Sequence, residues 1–280
     1  MAKKKADRPV PVVAVSDLHV GCEMALMPRD GWLRDGGNRV MPSKLQGVLC
    51  DWWDEAWAWV DNETGGEYDV VVNGDLIEGV HHRATTPWSA NIGVQRACCE
   101  HLLHPVRERA RRLYVIRGTE AHVGQSAEDD EAIARNIEAD RPNGGGNHSQ
   151  WEMFYRMGDG ALAHFAHHIS TSSSPFSETS ALLREQVGGY VEAGRWGDEP
   201  ASVYVRSHRH ICSGIWHPSR HGITSTVTTP AWQLKTPYVH KISARMSQPQ
   251  IGLVLLLVGD NGPYVKPWVR HIERPEEVRP

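Results

Sequence analysis

Short, β-branched, continuously apolar runs recur along this chain, and one after another they break off at an acidic or histidine side chain. Val10–Val15 ends in Ser16-Asp17-Leu18-His19, and Tyr68–Val72 in Asn73-Gly74-Asp75-Leu76-Ile77-Glu78-Gly79. Leu113–Ile116 runs into Arg117-Gly118-Thr119-Glu120-Ala121-His122, and Ser202–Val205 into Arg206-Ser207-His208-Arg209-His210. Continuous apolarity over so few residues marks strands covered on both faces. In an extended backbone, residues two apart point to one side, so Asp17 with His19, and His208 with His210, each present two metal-competent groups together. Gly74 lets the chain turn sharply as its strand finishes.

Helical patterns separate these runs. From Ser43 to Val60, the residues Leu45, Val48, Leu49, Trp52, Trp53, Ala56, Trp57 and Val60 fall at helical spacing, which makes the three tryptophans core rather than a stacking platform. A second helix is expected from about Asn91 to Arg112, kinked or divided by Pro105. Ser126 and Asp129 predict a capping box for a helix reaching about Ala139. Trp151–Met157 and Ala161–Phe165 predict a hairpin turning at Gly158-Asp159-Gly160, and a helix is expected from Thr179 to about Ala193. Ile223–Thr228, Ile251–Val258 and Tyr264–Val269 complete the strands. With no repeat and no long linker, residues 1–280 read as a single domain with a frayed tail over about residues 1–8.

Composition narrows the function classes. The formal charge of −4 gives no overall attraction to nucleic acid. No apolar run approaches the roughly 18 residues that span a bilayer, and Lys3–Lys5 lack the apolar segment of a secretory signal. Five cysteines form no Cys-x-x-Cys pair and leave one over, which points to a reducing, cytoplasmic setting. Sixteen histidines, several beside Gly or Asp at strand ends, are the unusual feature.

In their order, these motifs resemble those of the calcineurin-like metallophosphoesterase superfamily: D-x-H, G-D-x-x-[DE], G-N-H-[DE], a lone strand-end His, and G-H-x-H. The matches are Asp17-Leu18-His19, Gly74-Asp75-Leu76-Ile77-Glu78, a degenerate Gly118-Thr119-Glu120-Ala121-His122, His167, and Ser207-His208-Arg209-His210, spanning roughly residues 10 to 230. The His81-His82 pair and the Trp-rich helix are similar to phage-encoded members. The resemblance implies one αββα domain, two stacked mixed sheets with helices outside. It implies two divalent cations, Mn2+ favoured with Fe, Zn2+ or Ni2+ as alternatives, and hydrolysis of a phosphate ester by metal-bound hydroxide.

Residue by residue, it implies that Asp17, His19 and His210 bind one cation, that Asp75 bridges, and that His208 and His167 bind the second. His167 is preferred to His164 and His168 because it falls at its strand's end. The third motif departs from the family: Thr119 stands in the place of a metal-binding Asn and Glu120 in that of a phosphate-contacting His. Glu120 is therefore expected to supply a carboxylate ligand, Thr119 being a weak neutral one, and His122 to swing back as the catalytic histidine. Glu78 and His81 are expected to orient ligands, and His81 and Arg209 to contact substrate. Arg117 and Arg206 flank the motifs as further candidates.

The physical logic stands apart from the family. Two cations roughly 3.5–4 Å apart share a hydroxide and clamp phosphoryl oxygens, and a carboxylate between them offsets their repulsion. Mixed Asp/His ligation suits Mn2+, Fe or Zn2+ better than Mg2+. The expected partner is a phosphodiester, nucleic acid or nucleotide included, with no membrane association. The alternatives are a phosphomonoesterase, a catalytically impaired metal-binding scaffold, or a nucleic-acid-binding module.

Overall fold

The computed structural model describes residues 9–81, 84–158, 161–170, 178–219, 222–242, 248 and 250–273. The N-terminal tail, His82 and the turn residues Asp159 and Gly160 lie outside the described residues. In chain order the strands are β1 (Val12–Val15), β2 (Trp32–Leu33), β3 (Arg39–Val40), β4 (Asp69–Asn73), β5 (Leu113–Ile116), β6 (Ser149–Gln150), β7 (Glu152–Arg156), β8 (Leu162–Ala166), β9 (Val203–Arg206), β10 (Ser213–Ser219), β11 (Gly222–Thr228), β12 (Gln250–Gly259) and β13 (Gly262–His271). The α-helices are α1 (Lys44–Thr64), α2 (Ile92–Arg109), α3 (Glu120–Val123), α4 (Glu128–Asn136), α5 (Glu178–Trp196) and α6 (Pro237–Ile242).

The strands form two mixed sheets and a small β2–β3 ribbon. One sheet has the order β13-β12-β1-β4-β5-β6, the other β10-β11-β9-β8-β7. Within the first, β1, β4, β5 and β6 are mutually parallel, and β12 is antiparallel to β1. Within the second, β8, β9 and β11 are parallel.

Alternation along each strand divides the core in two. Val13, Val15, Val70, Val72, Leu113 and Val115 pack against Leu49, Trp53 and Trp57 of α1, Cys98, Cys99 and Leu103 of α2, and Ile133 of α4. Their neighbours Val12, Ala14, Val71, Tyr114 and Ile116 face the second sheet, meeting Met153, Ala163, Phe165, Val203 and Val205. Ala181 and Leu182 of α5 cover part of the second sheet's outer face through Ile169 and Ile215. The result is the αββα sandwich expected from the sequence.

Trp53 and Trp57 are core side chains, and Trp53 meets Trp232 edge-on at 4.7 Å. Each such burial is worth on the order of 2–3 kcal/mol.

Three local expectations are corrected. Pro105 does not divide α2, because Cys98, Cys99, Leu103 and Val106 on both sides of it are held in a single core. No capping box starts α4: Ala127 precedes it with φ 52°, and no side chain caps it. The acids there make tertiary contacts instead, Asp129 with Arg96 at 3.4 Å and Asp130 with the Gly118 amide. Ser213–Ser219, not anticipated as a strand, pairs along its length with β11.

Candidate metal centre

The C-terminal ends of β1, β4, β5, β8 and β9 converge at one end of the sandwich. Asn73 donates from Nδ2 to the Ala166 carbonyl (3.1 Å) and to Ser207 Oγ (2.6 Å), tying β4 to the second sheet. Thr229 Oγ1 lies 2.6 Å from Ser16 Oγ and 2.7 Å from Ser207 Oγ. This buried hydroxyl row fixes both sheets beneath the histidines, and spacing alone gave no sign of it.

Among the described residues, three groups bring metal-competent atoms together: Asp17, His19 and His210; Asp75, His167 and His208; and His19, Glu78 and His122. The first two coincide with the sets expected from the motifs, and His167, not His164 or His168, is the member of the second. His164 pairs instead with Glu152 at 3.0 Å and Arg206 at 3.1 Å, and His168 is exposed, its ring stacked on His208.

Glu120 belongs to none of these groups. It is the exposed first residue of α3, and the expectation that it supplies a ligand is not realised in this geometry. Thr119 fills the gap, with its Oγ1 3.2 Å from Asp75 Oδ2, 3.4 Å from His167 Nε2 and 3.2 Å from His208 Nδ1.

The backbone is bent to make this convergence. Of the seven described non-glycine residues with positive φ, five are Asp17, His19, Asp75, His208 and His210. Left-handed backbone costs an L-residue on the order of 1 kcal/mol, so its concentration here marks a site stabilised by its surroundings.

Hydrogen bonds set the ring tautomers. His167 donates Nδ1–H to the Asn73 carbonyl at 2.7 Å, which turns Nε2 towards Asp75 Oδ2, 3.1 Å away. His122 likewise donates Nδ1–H to the Glu78 carbonyl at 2.7 Å. Glu78 also faces His19, Oε2 to Nδ1 at 3.2 Å, and its two oxygens accept from Gln233 (2.8 Å) and Thr86 (3.1 Å). Glu78 therefore orients His19 with its carboxylate and His122 with its backbone carbonyl, a double role that the sequence pattern shows only in part. His81 packs on His122, ring centroids 4.3 Å apart.

The donor set fits cations. Asp17 Oδ1 is buried, accepts no hydrogen bond and lies 3.2 Å from His210 Nε2. His19 Nε2 and His210 Nε2 face each other at 3.2 Å. A carboxylate oxygen and two imidazole nitrogens converging on one point suit a divalent metal once their protons are displaced.

Charge follows the same geometry. Burial pushes the Asp17 carboxyl up, but His210 and His167 outweigh it and hold it at about 2. Asp75 is held well below the carboxylate range, burial being overcome by His167. Burial also lowers His167, yet Asp75 and then Asp17 raise it to about 10. Burial and His19 lower His122 to about 4, leaving it neutral.

A pH effect follows for chelator-stripped protein. Because His167 titrates in the fold above its ordinary 6.5, its pairing is complete below that pH and is lost as pH rises through about 10. Asp130, which burial pushes up to about 8, acts in the same direction at lower pH, since the fold favours its protonated form. Stripped protein should therefore melt progressively lower from about pH 6.5 to 10. A melting temperature that stays level above pH 8, where His167 alone is left titrating of these two, would contradict the Asp75–His167 pair.

No family model matches this chain, and none of the curated proteins does. Solved structures similar to it include a metallophosphoesterase from Sphaerobacter thermophilus, at 10% identity and TM-score 0.40, aligned over 94% of this chain and 89% of the other. Vacuolar protein sorting 29 from Cryptosporidium parvum is similar at 10% identity and TM-score 0.37, over 95% of this chain and all of the other. A Streptococcus pneumoniae protein described as a predicted phosphoesterase is similar at 10% identity and TM-score 0.33, over 95% and 100%. At such identities it is this chain's own site, not its neighbours' names, that carries the chemistry. No helix among the described residues is long and apolar enough to cross a membrane.

Proposed function

We propose that this chain is a phosphoesterase of the calcineurin-like kind, acting with two divalent cations, Mn2+ favoured. The observation that carries the reading is the meeting of two Asp/His groups, each at the ends of parallel strands from both sheets. Asp17, His19 and His210 would hold one cation. Asp75, His167, His208 and the Thr119 hydroxyl would hold the other, with Asp75 serving both. Bound cations would supply Lewis acidity, polarising the phosphoryl group and rendering water acidic enough to attack at neutral pH.

The chain's own groups do the rest. His122 has its Nδ1–H fixed on the Glu78 carbonyl, so Nε2 carries the lone pair. There it takes up a proton and returns it to the leaving oxygen. Glu78 keeps His19 and His122 in register, and His81 packs against His122.

Diesters are proposed ahead of monoesters, with nucleotides or nucleic acid as the substrate class. The support is electrostatic. Arg117 and Arg206 are paired with Glu131 (3.7 Å) and Glu185 (2.8 Å). Among the described residues, Arg209 donates to the Glu178 carbonyl, at 2.8 Å, and pairs with no carboxylate. Such a cation, beside His208 and His210 in the chain, matches the single charge of a diester better than the double charge of a monoester.

The test is hydrolysis of bis(p-nitrophenyl) phosphate and p-nitrophenyl phosphate by chelator-stripped protein, with Mn2+ returned. Restored turnover, faster on the diester, is the expected result. Two bound cations without turnover on either ester would leave a metal-binding scaffold. Protein that takes up no metal would overturn the assignment of the site.

A further inference from the structure

Asp130, on the first turn of α4, is fully buried and is passed over by every sequence motif. Its Oδ2 accepts the Gly118 amide at 2.7 Å, while its Oδ1 is buried with no hydrogen-bond partner. Gly118 in turn is pressed flat on Asp75: a Cβ there would overlap the Asp75 amide nitrogen and Oδ1 and come within 2.9 Å of its Cα. The next residue, Thr119, donates its amide to Asp75 Oδ1 at 2.6 Å and its hydroxyl to Oδ2 at 3.2 Å. A threonine hydroxyl stands one bond from Cβ, so its reach is short and the backbone decides where Oγ1 lies.

We propose that Asp130 is a positioning residue for the second cation: by holding Gly118 down, it places the Thr119 hydroxyl as the fourth donor beside Asp75, His167 and His208. The inference rests on the two-cation reading and adds to it a residue that touches neither metal nor substrate. Groups that orient ligands in this way typically change metal affinity 10- to 100-fold when removed.

Calorimetric titration of stripped protein with Mn2+ alone tests it, with circular dichroism to confirm folding. Asp130→Ala is expected to weaken the second Mn2+ by about 10-fold or more and to leave the first unchanged. Asp130→Asn keeps an acceptor oxygen for the Gly118 amide and should restore the second affinity. Thr119→Val, which removes only the hydroxyl, should match Asp130→Ala, and the double variant should lose no more than either.

Folded Asp130→Ala with both affinities intact overturns the inference. So does a normal second site in Thr119→Val, which also decides the matter if Asp130→Ala does not fold. Wild-type protein that binds only one Mn2+ removes the two-cation reading itself, and this inference with it.

Discussion

Asp75→Asn is expected to cut Mn2+-restored diester turnover by about 10^3-fold, the upper end of what one preorganised electrostatic group contributes. Asp75 is 1% exposed, and both its oxygens are engaged, by the Thr119 amide and by the Thr119 hydroxyl with His167 Nε2. An amide at this point turns an NH2 group against one of those donors and removes the negative charge that the proposed bridging role requires. Backbone strain does not enter, since Asn tolerates φ 54° as readily as Asp. The measurement is kcat/KM at saturating Mn2+ together with metal content. A wild-type rate with two cations bound would take Asp75 out of the site.

Gly74→Ala should be nearly as damaging although no functional atom is replaced. Gly74 sits at φ 91°, and a Cβ there would overlap Nδ1 of His167, approach its Cγ to 2.7 Å and the Gly118 Cα to 2.9 Å. Left-handed strain and overpacking add here, for about 2–4 kcal/mol of lost stability. The ring that must move is the one that accompanies Asp75, so activity should fall with stability. Gly188→Ala on α5 is the control: nothing lies within 4 Å of a Cβ there, and a helix interior favours Ala by roughly 0.5–1 kcal/mol. Denaturant midpoints of the two variants give the comparison. If Gly74→Ala proves as stable and active as the control, the close packing of His167 on the β4 exit is not what the site depends on.

The strand ends were legible because burial and chemistry coincide there. Val12–Val15 and the Val70–Val72 centre of β4 are covered on both faces, so each run had to be apolar, and the polar groups that follow it fall at or beside the site. Glu120 and His122 show where spacing misleads. Two residues apart points one way in a strand, but here the chain enters helix α3 at Glu120, and residues two apart in a helix differ by about 200° around its axis. Only one of the two could face the metal groups. The edge strand β10 escaped notice because Ser-Gly-Ile-Trp-His-Pro-Ser alternates weakly and carries a proline. Asp130 was beyond reach for another reason: its meaning lies in the Gly118 amide, twelve positions earlier and on a different element.

The left-handed backbone at Asp17, His19, Asp75, His208 and His210 has a bearing on how such a centre can change. Asn, Asp and His enter that conformation far more readily than other residues with side chains, whereas branched or bulky ones rarely do. The chain path thus acts as a filter on the vocabulary of donors, admitting carboxylate, carboxamide and imidazole before any metal is present. Retuning this centre towards a softer metal with cysteine thiolates would meet resistance from the main chain as well as from coordination chemistry. Exchanges among Asp, Asn and His are the moves that the scaffold leaves open.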